Sequence, residues 1–474
     1  MKKKMVKEDS ATYEALAEVE NIVVKPVVQD MYDLVGSRFN KDIEDGYYYV
    51  AGSVKDWYYE WDFKTFNPNI YSHGFHQYPA KFIPQLARKI LRVFTDENSV
   101  VLDNFSGSGT TIIECMLLNR KKALGIELNP FANFMSKVKT TTIKATILKD
   151  NYNKIIELYS NPAYKHKIHD FYNIDFWFKK NTIKELSKLR SAIYDLADEQ
   201  VTNFFLLCMS DVIRRVSLTN HGGFKLHRSK DKINGDFNPD VIGDFEKVCN
   251  KNIKLMAQFY ELVKDSKTKV EIINGDSRLE HNIPKNSVDF ILTSPPYGDS
   301  RTTVAYGQFS RLSWQWISDE TDIYSLDDNL LGGKNKITLE HEILNNSPKL
   351  KEQLELVRTS CSNRAKDVLS FYIDLNLTLL QAHKYLKKGK YFVLVSGNRT
   401  VKNIFLRTDL IISELAGAMG FTTEKILYRN IINKRMPAKN SPTNEVGVYG
   451  DTMLKENIIV LKKILNFEKT RNIA

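Results

Sequence analysis

Cysteine is scarce in this chain: Cys115, Cys208, Cys249 and Cys361 are the only four in 474 residues, and none forms a Cys-x-x-Cys pair. That spacing argues against a disulfide framework and a zinc knuckle, so reduced, buried thiols and no metal site are expected. Long apolar runs are missing as well. Stretches such as Phe204-Phe205-Leu206-Leu207 are far too short to span a bilayer, and the basic start Met1-Lys2-Lys3-Lys4 leads into no apolar segment of the signal-peptide kind. A cytoplasmic location without a membrane partner is the expectation. Internal repeats and low-complexity tracts are absent too. What remains, at 42% apolar, 11% aromatic and 26% charged residues, is the composition of an ordinary globular protein of about two or three domains. The 68 Lys and Arg against 57 Asp and Glu give a net charge of +11, which favours polyanionic partners without establishing one.

Residues 1–72 mix charge with aromatics and show no period, and read as an irregular arm. Regularity begins at Tyr78-Pro79-Ala80-Lys81-Phe82-Ile83-Pro84. There Pro84 suits the first turn of a helix with Leu86, Ile90, Leu91 and Phe94 on its apolar face. A short β-branched strand at 99–103 leads into Asn104-Phe105-Ser106-Gly107-Ser108-Gly109-Thr110-Thr111 and a helical pattern, and a second strand ends at Glu127. Strand, loop, helix and strand in that order require a parallel sheet with a right-handed crossover. Residues 141–267 then read as helical, strands resume at 270–273, 288–292 and 391–395, and a hairpin of 425–432 with 457–461 completes the sheet. The resulting division is arm 1–72, core 73–140, helical insertion 141–267, core 268–317, second insertion or loop 318–364, and core 365–474.

Two loops could carry chemistry. The turn Phe105-Ser106-Gly107-Ser108-Gly109 lets the backbone approach a ligand and presents amides at a helix N-terminus, while Glu127 on the next strand can accept from both hydroxyls of a ribose. Ile112 stands where a dinucleotide motif would have its third glycine, which favours a different nucleoside cofactor. The second loop is Thr293-Ser294-Pro295-Pro296-Tyr297-Gly298 at the carboxyl end of an apolar strand, where open α/β sheets bind ligands. Its two prolines remove amide donors and leave an acceptor-rich pocket suited to an amino group, and Tyr297 offers a face for stacking a planar ring. Taken singly, each loop is equally compatible with an ordinary packed turn.

Together, Ser294-Pro295-Pro296-Tyr297, the segment 103–110 and Gly125-Ile126-Glu127-Leu128-Asn129-Pro130 resemble the amino-methylating DNA methyltransferases. His76-Gln77-Tyr78-Pro79-Ala80-Lys81-Phe82 is similar to that family's segment for the methionine end of the cofactor, and Asn274-Gly275-Asp276-Ser277 to its third cofactor segment. The resemblance covers roughly residues 73–140, 268–312 and 365–465. It implies a doubly wound, mostly parallel, seven-stranded Rossmann-like sheet and S-adenosylmethionine as cofactor. It places Tyr78, Lys81, Phe82, Asp103, Phe105, Ser106, Gly107, Ser108, Gly109, Thr110, Glu127, Asp276 and Ser277 around that cofactor, with Glu127 on the ribose and Asp276 on the adenine. Ser294, Pro295, Pro296 and Tyr297 become the catalytic pocket for a flipped-out base of double-stranded DNA.

No cysteine follows a proline, which disfavours methylation at cytosine carbon 5. In the resembled family a serine at the first motif position is commoner among cytosine-N4 enzymes and an aspartate among adenine-N6 enzymes. Cytosine N4 is therefore the expectation, within a restriction–modification system and beside a cognate endonuclease. Adenine N6, an RNA base, and a non-catalytic DNA-binding role are the alternatives. Arg214, Arg215, Lys225, Arg228, Arg301 and Arg311 are the candidate DNA contacts.

Overall fold

The computed structural model describes residues 40–42, 47–49, 61–63, 66–220, 225–300, 302–319, 323–333, 337–431, 439–440, 450–451 and 455–465. Its principal sheet contains β1 (Asn40–Asp42), β2 (Tyr47–Tyr49), β3 (Val100–Asp103), β4 (Lys122–Glu127), β5 (Lys269–Asn274), β6 (Val288–Thr293), β7 (Leu386–Ser396), β8 (Phe421–Asn430) and β9 (Lys455–Lys463). Strand order is β1-β2-β8-β9-β7-β6-β3-β4-β5. From β5 through β7 neighbours run parallel, and β9 lies antiparallel between β7 and β8. Those seven strands are the expected methyltransferase sheet. The arm adds two more, β2 parallel to β8 and β1 antiparallel to β2.

Helices α1 (Pro84–Phe94), α2 (Thr110–Leu117) and α3 (Pro130–Thr140) belong to the cofactor half. The insertion supplies α4 (Ala145–Ser160), α5 (Lys180–Tyr194), α6 (Glu199–Val216) and α7 (Val241–Val263); α8 (Tyr306–Ile317) follows the loop that begins at Ser294. Next come α9 (Pro348–Ser360), α10 (Ser362–Tyr385) and α11 (Thr408–Ala418). The second insertion therefore contains an ordered helix, α9, as well as loop. No helix among the described residues is long and apolar enough to cross a membrane.

Strand residues alternate between two cores, which is why these strands read as continuous apolar runs rather than as an in–out pattern. Val101, Phe290, Leu292, Val393 and Val460 pack toward α1 with Trp61 and Phe63 of the arm. Leu102, Ile291, Leu394 and Ile459 face the opposite way, toward α9, α10 and α11. A third core joins the insertion to α2, α3 and α8 through Ile113, Phe131, Phe204, Met209, Phe259 and Trp316. The helical insertion is thus continuous with the cofactor half. Cys115, Cys208 and Cys249 are buried free thiols, whereas Cys361 is half-buried.

Candidate functional site

Register brings the two ligand-facing ends of the cofactor half together. Glu127 pairs with Asn274, and the Gly275 amide donates to the Glu127 carbonyl at 3.1 Å, so the segment 274–277 leaves the sheet beside Glu127. The glycine turn reaches the same edge because Ser106 donates its amide to the Ile126 carbonyl at 3.0 Å. Gly107 and Gly109 have φ of +50° and +86°, the left-handed region that disfavours side chains. A Cβ on Gly109 would fall 2.4 Å from Ser136 Oγ, so α3 can lie against the turn only where a glycine stands.

Both oxygens of Glu127 are engaged by backbone amides, from Gly107 at 2.7 Å and Asn129 at 2.8 Å. Burial still pushes its carboxyl up to about 7. Asp103 is likewise raised by burial to about 6, against hydrogen bonds from Thr111, Thr293 and the Phe105 amide. Thr293, which the sequence reading passed over as a candidate, donates to Asp103 at 2.6 Å and accepts from the Phe105 amide at 3.1 Å. One hydroxyl thereby fastens the glycine turn to the strand that carries the second loop.

The opposite wall is aromatic. Tyr78 stacks on Tyr306 with ring centroids 5.7 Å apart and meets the edge of Phe309 at 6.0 Å. Asn129 donates to the Tyr78 hydroxyl at 3.3 Å and to Ser310 Oγ at 2.8 Å, tying this wall to α8. The Lys81 ammonium is taken up by Asn69 Oδ1 and the His73 carbonyl, each at 3.0 Å, and burial lowers it to about 8. Asp276 is gripped by Arg278 at 2.6 Å, and Arg278 also bonds Asp374 at 2.9 Å and the Asn329 carbonyl at 2.6 Å. Ser277 donates to the Asn104 carbonyl.

These groups enclose one pocket of about 870 Å³, counted out to its open mouth. Tyr78, Lys81, Phe82, Asp103, Phe105, Ser106, Gly107, Ser108, Thr110, Glu127, Asp276 and Ser277 all line it, and so do Ser294 and Pro296. Gly109 stands behind the turn, while Pro295 and Tyr297 flank the pocket without lining it. Tyr306, Arg278 and Asn129 line it although they were not among the expected cofactor residues.

In the second loop, Ser294 Oγ lies 3.4 Å from the Tyr297 hydroxyl, which donates to Glu456 Oε1 at 3.0 Å. Burial, reinforced by the Glu456 charge, raises the Tyr297 phenol well above its ordinary value. Glu456 on β9 is ion-paired with Arg429 of β8. Arg429 is wholly buried and also donates to the Trp61 carbonyl at 2.8 Å and the Asp62 carbonyl at 3.2 Å. A Cβ on Gly298 would lie 1.7 Å from the Arg399 guanidinium, which is seated against the loop by Asp299 at 2.9 Å.

A glycine turn, a buried strand-end carboxylate and the head of a Ser-Pro-Pro-Tyr loop thus share one pocket, and the chain as a whole is similar to known proteins. The family described as DNA methylase matches residues 18–137. The type II methyltransferase M.MvaI of Kocuria varians is 37% identical over 426 residues, covering 85% of this chain and 94% of that protein. The chain belongs to the N4/N6 family of type II DNA amino-methyltransferases. M.AvaI of Nostoc sp. is 23% identical, over 77% of this chain and 80% of its own. M.MjaII of Methanocaldococcus jannaschii is 23% identical, over 48% and 59%.

The methyltransferase's cofactor is S-adenosylmethionine, and the pocket residues fit it. A Cβ at Gly107 would stand 3.6 Å from Tyr78 Cε1, between the turn and the aromatic wall, so the glycine keeps that gap open. Asp103, Glu127 and Asp276 put three carboxyls around a ligand that bears a cationic sulfonium and offers hydroxyl and amino donors.

Three of the candidate DNA contacts are half-buried against aromatic rings. Arg214 lies 5.0 Å over Phe309, Arg228 lies 4.3 Å over Phe176, and Arg311 lies 4.6 Å over Tyr324. Tyr172, 72% exposed, meets the edge of Tyr324 at 5.9 Å. The Leu226 amide donates to Gln308 at 3.2 Å and joins the insertion loop to α8. Lys225 is exposed, Arg215 turns back onto Asp211 at 3.1 Å, and Arg301 with residues 221–224 lies outside the described residues.

Proposed function

We propose that this methyltransferase modifies N4 of cytosine within a defined DNA sequence, as the modification half of a restriction–modification system with a cognate endonuclease. The observation that carries the choice of base is Ser294, a neutral hydroxyl at the head of the loop and on the pocket wall, where the adenine-directed pattern has an aspartate. An exocyclic amine has its lone pair delocalised into the ring. Acceptors at Ser294 Oγ and the Pro295 carbonyl draw its hydrogens and return that lone pair to nitrogen. Bound S-adenosylmethionine supplies an electrophilic methyl group. The cytosine must leave the duplex to reach the pocket, and the Tyr297 ring replaces part of the stacking it loses. Glu127 holds the ribose, Asp276 the adenine, and Tyr78 with Tyr306 forms the wall beyond them.

Arg214, Arg228 and Arg311, backed by the buried Phe309 and the exposed Phe176 and Tyr324, present cations to the phosphates flanking the flipped base. Either insertion can thus reach the duplex, since Arg228 belongs to the first and Tyr324 to the second.

The test is incubation of the protein with unmethylated bacterial DNA and isotopically labelled S-adenosylmethionine, followed by digestion to nucleosides and mass spectrometry. Labelled N4-methylcytosine is expected. N6-methyladenine would overturn the choice of base, and label on RNA alone would overturn the choice of substrate.

A further inference from the structure

As the methyl group is transferred the amine nitrogen gains a bond and must shed a proton in the same step, and the residues around Ser294 offer a route for it. Ser294 Oγ, the Tyr297 hydroxyl and Glu456 Oε1 form a line with separations of 3.4 and 3.0 Å. The first is at the long end for a hydroxyl pair, as contacts in ligand-free sites commonly are before substrate tightens them. Because Tyr297 donates to Glu456, its oxygen is left to accept from Ser294, and Ser294 Oγ is left to accept from the base. The Glu456 side chain is 16% exposed, so the line ends at solvent. Arg429 fixes the far oxygen of that carboxylate, and is itself held by the carbonyls of Trp61 and Asp62. Asp62 faces away from the line, accepting from the amide and side chain of Asn430.

We propose that Ser294, Tyr297 and Glu456 form a proton relay from the target amine to solvent, with Glu456 as its terminal acceptor. The relay rests on the base-pocket assignment above and holds for either exocyclic amine. The amine proton passes to Ser294 Oγ as the serine's own proton moves to Tyr297 Oη and the tyrosine's to Glu456 Oε1. The N–H electron pair stays on nitrogen, the serine and tyrosine end neutral, and the protonated Glu456 returns its proton to water. The relay explains how a neutral serine can head this loop: a carboxylate still serves the amine, two hydroxyls away. Burial and the Glu456 charge both favour the protonated phenol, keeping Tyr297 a donor until the step occurs.

The experiment compares wild type, Glu456→Gln, Tyr297→Phe and the double variant, with single-turnover methylation measured beside cofactor and DNA affinities. Each single variant is expected to slow the methyl-transfer phase about a hundredfold, the scale of one positioned acid–base group, with both affinities kept. The double variant is expected to be no slower than the worse single one. Glu456→Gln at wild-type rate, or losses that multiply in the double variant, would overturn the relay. Tyr297→Phe keeps the ring and the Arg429–Glu456 pair, so wild-type rate in that variant overturns it even if Glu456→Gln fails to fold. A readout free of turnover is the ¹³Cζ NMR titration of Tyr297 in the unliganded protein. Glu456→Gln should lower its titration point, and an unmoved titration would show that the phenol and carboxylate are not coupled. The nucleoside found in the wild-type digest tests the choice of cytosine separately, since N6-methyladenine would sink that choice and leave the relay standing.

Discussion

Glu127 shows most directly how a single side chain links protonation to ligand binding. Its carboxyl is raised from 4.5 to about 7 by burial, so the free protein favours the protonated form below that pH. For a carboxyl displaced upward, the stability contribution is greatest below the ordinary value and declines as pH rises toward the folded one. Asp103, raised to about 6, acts with the same sign. Ribose hydroxyls donate to the ionised carboxylate, so affinity for S-adenosylmethionine should rise by up to about tenfold per pH unit below 7 and level off above it. Calorimetry from pH 5.5 to 8 should record that slope together with proton release. Glu127→Gln should bind more weakly and flatten the slope, and a wild-type slope in that variant would remove Glu127 from the ribose site. Thr293→Val keeps the shape but leaves Asp103 short of a buried donor, and urea titration should report a loss of about 1–3 kcal/mol. Glu127 was legible in the sequence because it ends a strand after a glycine turn. Thr293 and Glu456 were not, because Thr293 acts on Asp103, 190 positions away, and Glu456 on Tyr297, 159 away, while Arg278 joins its neighbour Asp276 to the distant Asp374.

At the scale of elements, the parallel strands, the glycine turn and the terminal hairpin were legible because apolar runs, turn residues and their order encode them locally. The second insertion was harder to read. Helix α9 buries only Leu350, Gln353, Leu354 and Val357 against its neighbours, too short a stripe to stand out in a polar stretch. The pairing of arginines with aromatic rings was invisible for a related reason: Arg214 and Phe309, and Tyr172 and Tyr324, come from segments far apart in the chain. Those arginines give a prediction. Arg228→Ala and Arg311→Ala should each weaken DNA binding across all sequences and reduce the logarithmic salt slope by about 1, with cofactor affinity kept. Fluorescence anisotropy from 50 to 300 mM salt measures this. A variant whose salt slope is unchanged has lost no phosphate contact, and its arginine would leave the interface.

Across the whole molecule, the cofactor pocket and the arm are fastened by different parts of the sheet, and their stabilities should separate. Pocket residues come from the carboxyl ends of β3, β4, β5 and β6, from the segment before α1, from Tyr306 of α8 and from residues 329–331. Trp61 and Asp62 of the arm are held at the other side, where Arg429 of β8 takes their carbonyls and Asn430 pairs with Asp62, whereas Asn69 of the arm reaches Lys81 on the pocket wall. Ligand that binds only the folded state at a hundred times its dissociation constant adds about 2.7 kcal/mol, so S-adenosylmethionine should raise the melting temperature. Arg429→Ala removes a fully buried cation, strands the Glu456 carboxylate and frees the arm's carbonyls, for an expected loss of about 3–5 kcal/mol. The increment from the cofactor should nevertheless stay the same in that variant, because none of the groups lining the pocket bonds to Arg429. Thermal melts with and without cofactor decide the matter. Equal increments at a lower baseline mean that the Trp61–Asp62 attachment supports the fold and the base pocket alone, whereas a vanished increment would mean that this attachment also holds the cofactor site.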